Sequence, residues 1–121
     1  DGRWLFVLEN HALSADETTL FNNMLRAMRI QSQPAVQVDN TMDLVKANNT
    51  QWVIAMGEAV AQTLLHSTAP LTSLRGQLHL FQTAQLVATF NLQHLLQQPQ
   101  DKARTWEDIC LAMHAQQFSK I

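Results

Sequence analysis

The residues of this chain that could do chemistry are five histidines, one cysteine and two pairs of adjacent acids. The one spacing typical of metal ligands joins Cys110 and His114, at positions i and i+4 of a helical pattern. Two ligands alone make a weak metal site, because zinc sites generally take three or four protein ligands. We interpret Cys110 as a packed core residue and His114 as a surface histidine. The sequence therefore predicts no metal site and no bound cofactor.

The adjacent acids, Asp16 with Glu17 and Glu107 with Asp108, are the candidates for paired-carboxylate catalysis. Both pairs fall in predicted early turns of helices, where the helix dipole favours negative charge, so no catalytic role is needed to explain them. Ser14 has the Ser-x-x-Glu spacing of a helix-capping box, and it lacks the glycines of a nucleophile elbow. We therefore predict no catalytic residues and expect that the protein is not an enzyme.

A glycine at a strand-to-helix turn could hold an anion. Gly57 lies between an apolar run and a segment of strong helix formers that starts at Glu58. A phosphate cradle, however, needs several glycines or a lysine near the helix N-terminus. Because the turn has a single glycine followed by an acid, we interpret it as a tight connection inside an α/β fold.

The length and composition favour one globular domain with little charge. The chain has 121 residues, 46% of them hydrophobic, and a net charge of −2. This is enough chain to bury a core, and we predict a single domain over residues 1–121. The overall charge gives no basic field for nucleic acid. Lys102 and Arg104 could form a small basic patch, but two acids follow them closely. A solvated helix face is the favoured interpretation, and a stand-alone nucleic-acid-binding module stays an alternative.

Cysteine usage and apolar runs indicate the compartment. A single cysteine excludes an internal disulfide. The longest apolar runs, Trp4–Leu8 and Trp52–Met56, are far shorter than the roughly 20 residues of a membrane span. No signal peptide is visible, so we predict a cytoplasmic protein without membrane contact. The chain begins at Asp1 rather than Met, just before a strand-like run, and we expect that an N-terminal segment is missing.

Apolar patterning predicts short strands that alternate with helices. We expect strands at Trp4–Leu8, 35–38, Trp52–Met56, 78–80 and 86–90, helices at about 15–29, 40–47 and 58–65, a loop at 69–76, a helical turn at 91–96 and a last helix from Pro99. In that last helix we expect Ala103, Trp106, Ile109, Cys110 and Met113 to share one face. This alternation predicts an α/β fold with a mostly parallel sheet that helices cover on both sides.

Several motifs of the C-terminal half resemble those of the uracil-DNA glycosylase superfamily. They are Gly57-x-Ala59, Leu74-Arg-Gly76, Thr89-Phe-Asn-Leu-Gln-His-Leu-Leu96, Pro99-x-x-Lys102 and Trp106-Glu-Asp108. The resemblance implies a three-layer α/β/α sandwich. The family's His-Pro dipeptide falls here on Asn91 and Leu92, so the histidine that would stabilise a uracil anion is absent. A divergent DNA-repair glycosylase stays an alternative, and a polar cavity where an acid and an amide converge would support it.

Most of the chain also resembles the psi subunits of bacterial DNA polymerase III, which are non-catalytic relatives of the glycosylase fold. The residues that carry this resemblance are Trp4–Leu8 with Leu13-Ser14, Met24-Leu-Arg-Ala-Met28, Val36-Gln-Val38, and a closing stretch of Leu92, Leu95, Pro99, Lys102, Trp106, Ile109, Cys110, His114 and Phe118. The resemblance therefore extends over nearly the whole chain.

The resemblance to psi subunits implies a structural role through protein–protein contact. Members of that family bind the chi subunit through their folded domain. An N-terminal segment, missing here, tethers the pair to the gamma and tau subunits of the clamp loader, and chi connects them to single-stranded-DNA-binding protein. Fourteen glutamines and few charges suit such contacts. We place Leu92, Trp106 and Phe118 near the partner-binding patch, with a core position as the alternative for Trp106.

Overall fold

The computed structural model describes residues 4–8, 13–29, 35–37, 51–82 and 84–118. In these ranges the chain forms, in order, β1 (Trp4–Leu8), α1 (Ala15–Ala27), β2 (Ala35–Gln37), β3 (Trp52–Met56), α2 (Glu58–Leu65), α3 (Leu71–Leu74), β4 (His79–Phe81), β5 (Ala84–Thr89), α4 (Leu92–Gln97) and α5 (Lys102–Phe118). A 3₁₀ turn, Pro99–Asp101, leads into α5. The predicted helix over 40–47 lies outside the described residues.

The strands form one mostly parallel sheet, as the sequence predicts. Its order is β2-β1-β3-β5-β4, and β1, β2, β3 and β5 run parallel while β4 pairs antiparallel with β5. All five residues of β1 and of β3 are buried. Strands buried on both faces read as continuous apolar runs, which is why both could be predicted with the correct bounds.

Alternate residues of the strands enter two separate core clusters. In β3, Val53 and Ala55 belong to one cluster, and Ile54 belongs to the other. Successive side chains of a strand point to opposite faces, so the clusters lie on the two sides of the sheet. Helices α2 and α3 contribute to the first cluster, and α1, α4 and α5 contribute to the second. The second cluster also holds Trp4 and Trp52, which are register partners with ring centroids 5.8 Å apart.

Helix α1 begins and packs as its sequence predicts. Ser14 accepts a hydrogen bond from the Glu17 amide, and the Glu17 carboxylate accepts one from the Ser14 amide, both at 3.1 Å. This capping box satisfies two backbone donors that a helix start would otherwise leave unpaired. One turn further on, Phe21 is buried edge-on against Phe6, with ring centroids 5.2 Å apart. The helix ends at Ala27, two residues earlier than predicted.

The turn between β3 and α2 requires its glycine. Gly57 has φ 122° and ψ 153°, a backbone conformation that is nearly closed to residues with a Cβ. In this position the Gly57 amide donates to the carbonyl of Thr89 at 2.8 Å. The bond ties the end of β3 to the end of β5, so the glycine fixes the edge of the sheet from which α2 starts.

The segment predicted as a loop at 69–76 contains a short helix. Helix α3 begins after Pro70, and both of its apolar residues, Leu71 and Leu74, are buried in the first core cluster. Four residues are too few for a hydrophobic period to be visible in the sequence. The strand after it is displaced from 78–80 to His79–Phe81, and Phe81 is buried while Leu80 faces solvent.

The buried face of α5 differs from the predicted one. Trp106 is exposed, and Ala103 is exposed as well, while the buried residues include Thr105 and Asp108 together with Ile109. The prediction assumed that apolar side chains face inward and polar ones outward. It was wrong here because two polar residues of the helix have hydrogen-bond partners inside the protein. None of the helices in the described ranges is long and apolar enough to cross a membrane.

Candidate functional site

A buried polar cluster joins the end of α3, strand β5 and helix α5. The Arg75 guanidinium donates to both carboxylate oxygens of Asp108, from Nε at 3.0 Å and from Nη2 at 3.2 Å, and also to the Arg104 carbonyl at 3.1 Å. Thr89 donates its hydroxyl to the same carboxylate at 2.8 Å, and its oxygen lies 3.2 Å from the Thr105 hydroxyl. The cluster therefore clamps α5 to the end of α3 and to β5.

The position of Asp108 corrects the prediction made for it. We expected an acid in an early helix turn that benefits from the dipole. It is instead the seventh residue of α5, with its side chain 2% exposed and paired with Arg75, which is 20% exposed. Burial raises the pKa of the Asp108 carboxyl, against the lowering effects of the Thr89 hydrogen bond and the Arg75 charge. Both oxygens of the Asp108 carboxylate therefore accept hydrogen bonds from side chains of the same fold.

A cleft lined by both polar and apolar side chains opens where β3 and β5 end. Ligands of open α/β sheets commonly bind outside the carboxyl ends of parallel strands, so this is the place to look for a catalytic site. The cleft has a volume of about 300 Å³, and its lining includes Gly57, Glu58, Phe90, Asn91 and His94. An acid and an amide therefore line one cavity here, which is the feature named above as support for a glycosylase.

The polar groups of this strand-end cleft are engaged in internal bonds. The Glu58 carboxylate accepts from the Leu71 amide at 2.8 Å, and the Asn91 side chain accepts from the His94 amide at 2.6 Å as the cap of α4. The His94 Nε2 lies 2.7 Å from a carboxylate oxygen of Asp101. Its ring is stacked on Phe90 with centroids 4.7 Å apart. Each of these three side chains therefore helps to hold α3 or α4 in place.

An apolar groove lies between α1 and α5, and Leu95 of α4 also lines it. It has a volume of about 160 Å³, and it is lined by Leu20, Asn23, Met24, Ala27, Leu95, Lys102, Thr105, Trp106 and Ile109. Trp106, 39% exposed, stands at its wall. Single exposed apolar side chains are normal on protein surfaces, so Trp106 matters here because it is part of a continuous apolar groove.

The structure places the three predicted partner-contact residues differently from one another. Leu92 is only 2% exposed and belongs to the second core cluster, so its side chain does not supply the surface contact that a place in the partner-binding patch would need. Asn91 caps α4, and Leu92 and Leu95, three residues apart on this helix, are both buried. Trp106 lines the groove. Phe118 is the last residue of α5, and its side chain lies outside the part that the structure describes.

The other candidates for chemistry stay apart. Across the described residues, no three His, Cys, Asp or Glu side chains come together in a way that could hold a metal ion. Cys110 is a half-buried free thiol, and His114 is exposed. The Arg104 of the possible basic patch forms an ion pair with Asp101 at 3.4 Å, so it is partly neutralised. In comparisons with known proteins, no family model matches the chain and no curated protein is significantly similar to it.

Proposed function

We propose that this chain is a psi-like accessory subunit of the bacterial DNA polymerase III clamp-loader complex, located in the cytoplasm and acting by protein–protein contact. In this role it bridges the chi subunit to the gamma and tau subunits, the latter through a segment that precedes Asp1. Chi then links the assembly to single-stranded-DNA-binding protein. The observation that carries the proposal is the groove between α1 and α5, where the described residues leave apolar surface and Trp106 exposed.

The proposal extends to the finer architecture. We infer a three-layer α/β/α sandwich of the uracil-DNA glycosylase type. Two features support it: helices contribute to both core clusters, and the sheet is parallel except at its β4 edge. The resemblance in the closing stretch adds to this, because it includes both Leu95 and Trp106 of the groove.

Complex formation with chi tests the proposed function directly. We expect the chain and chi to form a one-to-one complex in native mass spectrometry at micromolar concentrations. Trp106→Ala should weaken the complex by about 30-fold or more, the effect of losing an aromatic anchor. Leu80→Ala is the matched control, because Leu80 is 77% exposed on β4 and does not line the groove. Failure of the wild-type chain to bind chi at these concentrations would overturn the proposal.

A divergent glycosylase is the second candidate, and the strand-end cleft is the observation that favours it. Glu58 and Asn91 line a volume of about 300 Å³ that a flipped base could enter. Both groups already accept a hydrogen bond from a backbone amide, Glu58 from Leu71 and Asn91 from His94, which is why we rank this function second.

Incubation with uracil-containing oligonucleotides separates the two candidates. We expect no abasic sites from the wild-type chain. Abasic-site formation that Asn91→Ala abolishes and Trp106→Ala leaves intact would establish the enzyme instead. The Trp106 variant is the matched control because that residue lines the groove and not the cleft.

A further inference from the structure

The groove between α1 and α5 has room for one large apolar side chain. Its volume is about 160 Å³. An engineered apolar cavity of about 150 Å³ is known to accept a benzene molecule, so this space suits one phenyl- or leucine-sized group. Both long walls of the groove are helices. An extended segment lying here would find no strand edge for its backbone, whereas a helix brings its backbone hydrogen bonds with it.

The lining of the groove also includes one positive charge. Lys102 is the one charged residue among the nine that line it. Its neighbour Asp101 is occupied by His94 and Arg104, and in the described part of the chain the Lys102 side chain has no ion pair or hydrogen bond. An exposed ammonium group beside an apolar space favours a partner that presents a carboxylate close to its apolar anchor.

We infer that the groove binds an acidic amphipathic helix of the partner protein, with one large apolar side chain in the groove and an Asp or Glu one turn away on Lys102. This inference rests on the proposed function, since it names the kind of segment through which the partner docks. Residues three or four apart lie on the same side of a helix, so a single helical segment can present both groups at once.

A charge reversal at the groove tests the inference, with the chi subunit as the probe. Lys102→Glu should weaken binding by about tenfold or more, because the variant places like charges together. The helix itself tolerates the change, since an acid in the first turn of α5 suits the dipole. The matched control is Arg29→Glu, which makes the same charge change at an exposed residue beyond α1 that is not in the groove lining. We expect the control to alter the affinity less than about twofold.

A photo-crosslinker at position 106 identifies the docked segment. With p-benzoylphenylalanine in place of Trp106, the crosslinked peptide of chi should be helical and should hold a Leu, Phe, Met or Trp within one turn of an Asp or Glu. A crosslinked segment without acids, or equal binding by the wild type and Lys102→Glu, would overturn the inference and leave the proposed function standing. Absence of any binding by the wild type would instead defeat both.

Discussion

The strand-end cleft and the α1–α5 groove use their side chains in opposite ways. The cleft has the larger volume and the groups of an enzyme, but its Glu58, Asn91 and His94 side chains each bond to a neighbouring element of the same fold. The groove has few polar groups, and its Trp106 and Lys102 are left facing outward. This contrast between the described residues of the two regions is what favours the proposed docking role over the glycosylase alternative.

Arg75 connects the two regions. Its guanidinium carbon lies 5.1 Å from the centre of the Phe90 ring at the cleft, and its hydrogen bonds reach Asp108 on the helix that forms one wall of the groove. Changes in the cleft and in the Arg75 clamp should lower the stability of the fold, and changes in the groove should lower partner binding while the fold keeps its stability.

Removal of the Arg75 guanidinium should have the largest effect on stability. Arg75→Ala leaves the buried Asp108 carboxylate without its cation, and breaking a buried pair in this way costs about 3–5 kcal/mol. Denaturant unfolding at pH 7 measures the loss. Arg104→Ala is the control, because that side chain is mostly exposed and pairs only at the surface. Equal stability of the two variants would show that the clamp does not hold α5.

The same clamp should give the stability a defined pH dependence. Because the folded pKa of Asp108 is raised above its ordinary value of 3.8, its contribution to stability is complete below that value and is lost as pH rises through the folded pKa. Relative to Asp108→Asn, which does not titrate, the wild type should therefore lose free energy of unfolding as pH rises from 3.8. The deficit of Arg75→Ala should also be smaller at acidic pH, where a protonated Asp108 needs no cation. A difference between wild type and Asp108→Asn that stays constant over this range would contradict the assignment.

Substitution of Gly57, which lines the cleft, should have the next largest effect on the free energy of unfolding. Gly57→Ala must hold φ near 122°, and such backbone strain costs about 1–3 kcal/mol. The loss would appear as a lower unfolding midpoint, with the denaturant slope unchanged. Gly76→Ala is an informative comparison, since Gly76 also has positive φ, at 76°, but open space where the methyl would lie. A larger loss at Gly76 than at Gly57 would show that the cleft turn is not the constrained one.

Loss of the cap of α4 should cost less. Asn91→Ala removes the acceptor of the His94 amide, and substitution of an N-cap costs about 1 kcal/mol. Asn91→Ser keeps a capping oxygen and should recover most of that free energy. If Asn91 served catalysis alone, both variants would unfold at the wild-type denaturant concentration.

The smallest effect on stability is expected in the groove. Lys102→Ala removes an exposed side chain that has no bond in the described structure, so the free energy of unfolding should change by less than about 0.5 kcal/mol. A loss comparable to that of Asn91→Ala would mean that the groove supports the fold as much as the cleft does, and the comparison would fail.

The sequence predicts the sheet better than it predicts the sites, for a physical reason. The strands β1 and β3 and the capping box of α1 depend on residues that are neighbours in the chain. The Arg75–Asp108 pair joins residues 33 positions apart, and no local pattern could indicate it. The sequence instead predicts Asp108 as an acid in an early helix turn and Trp106 as part of a shared apolar face. Because Asp108 has buried partners and Trp106 is exposed, the buried face of α5 differs from the one that polarity alone predicts.

The stacked pair of Trp4 and Trp52 gives this protein an optical signature of its own. The two stacked indoles lie 5.8 Å apart and are inclined by 23°, so their electronic transitions couple, and they do so only while β1 and β3 stay in register. The resulting circular-dichroism couplet reports the integrity of the sheet centre, whereas the emission wavelength of the third tryptophan, Trp106, reports the water at the groove. A single titration of unlabelled protein can therefore distinguish partner binding from unfolding.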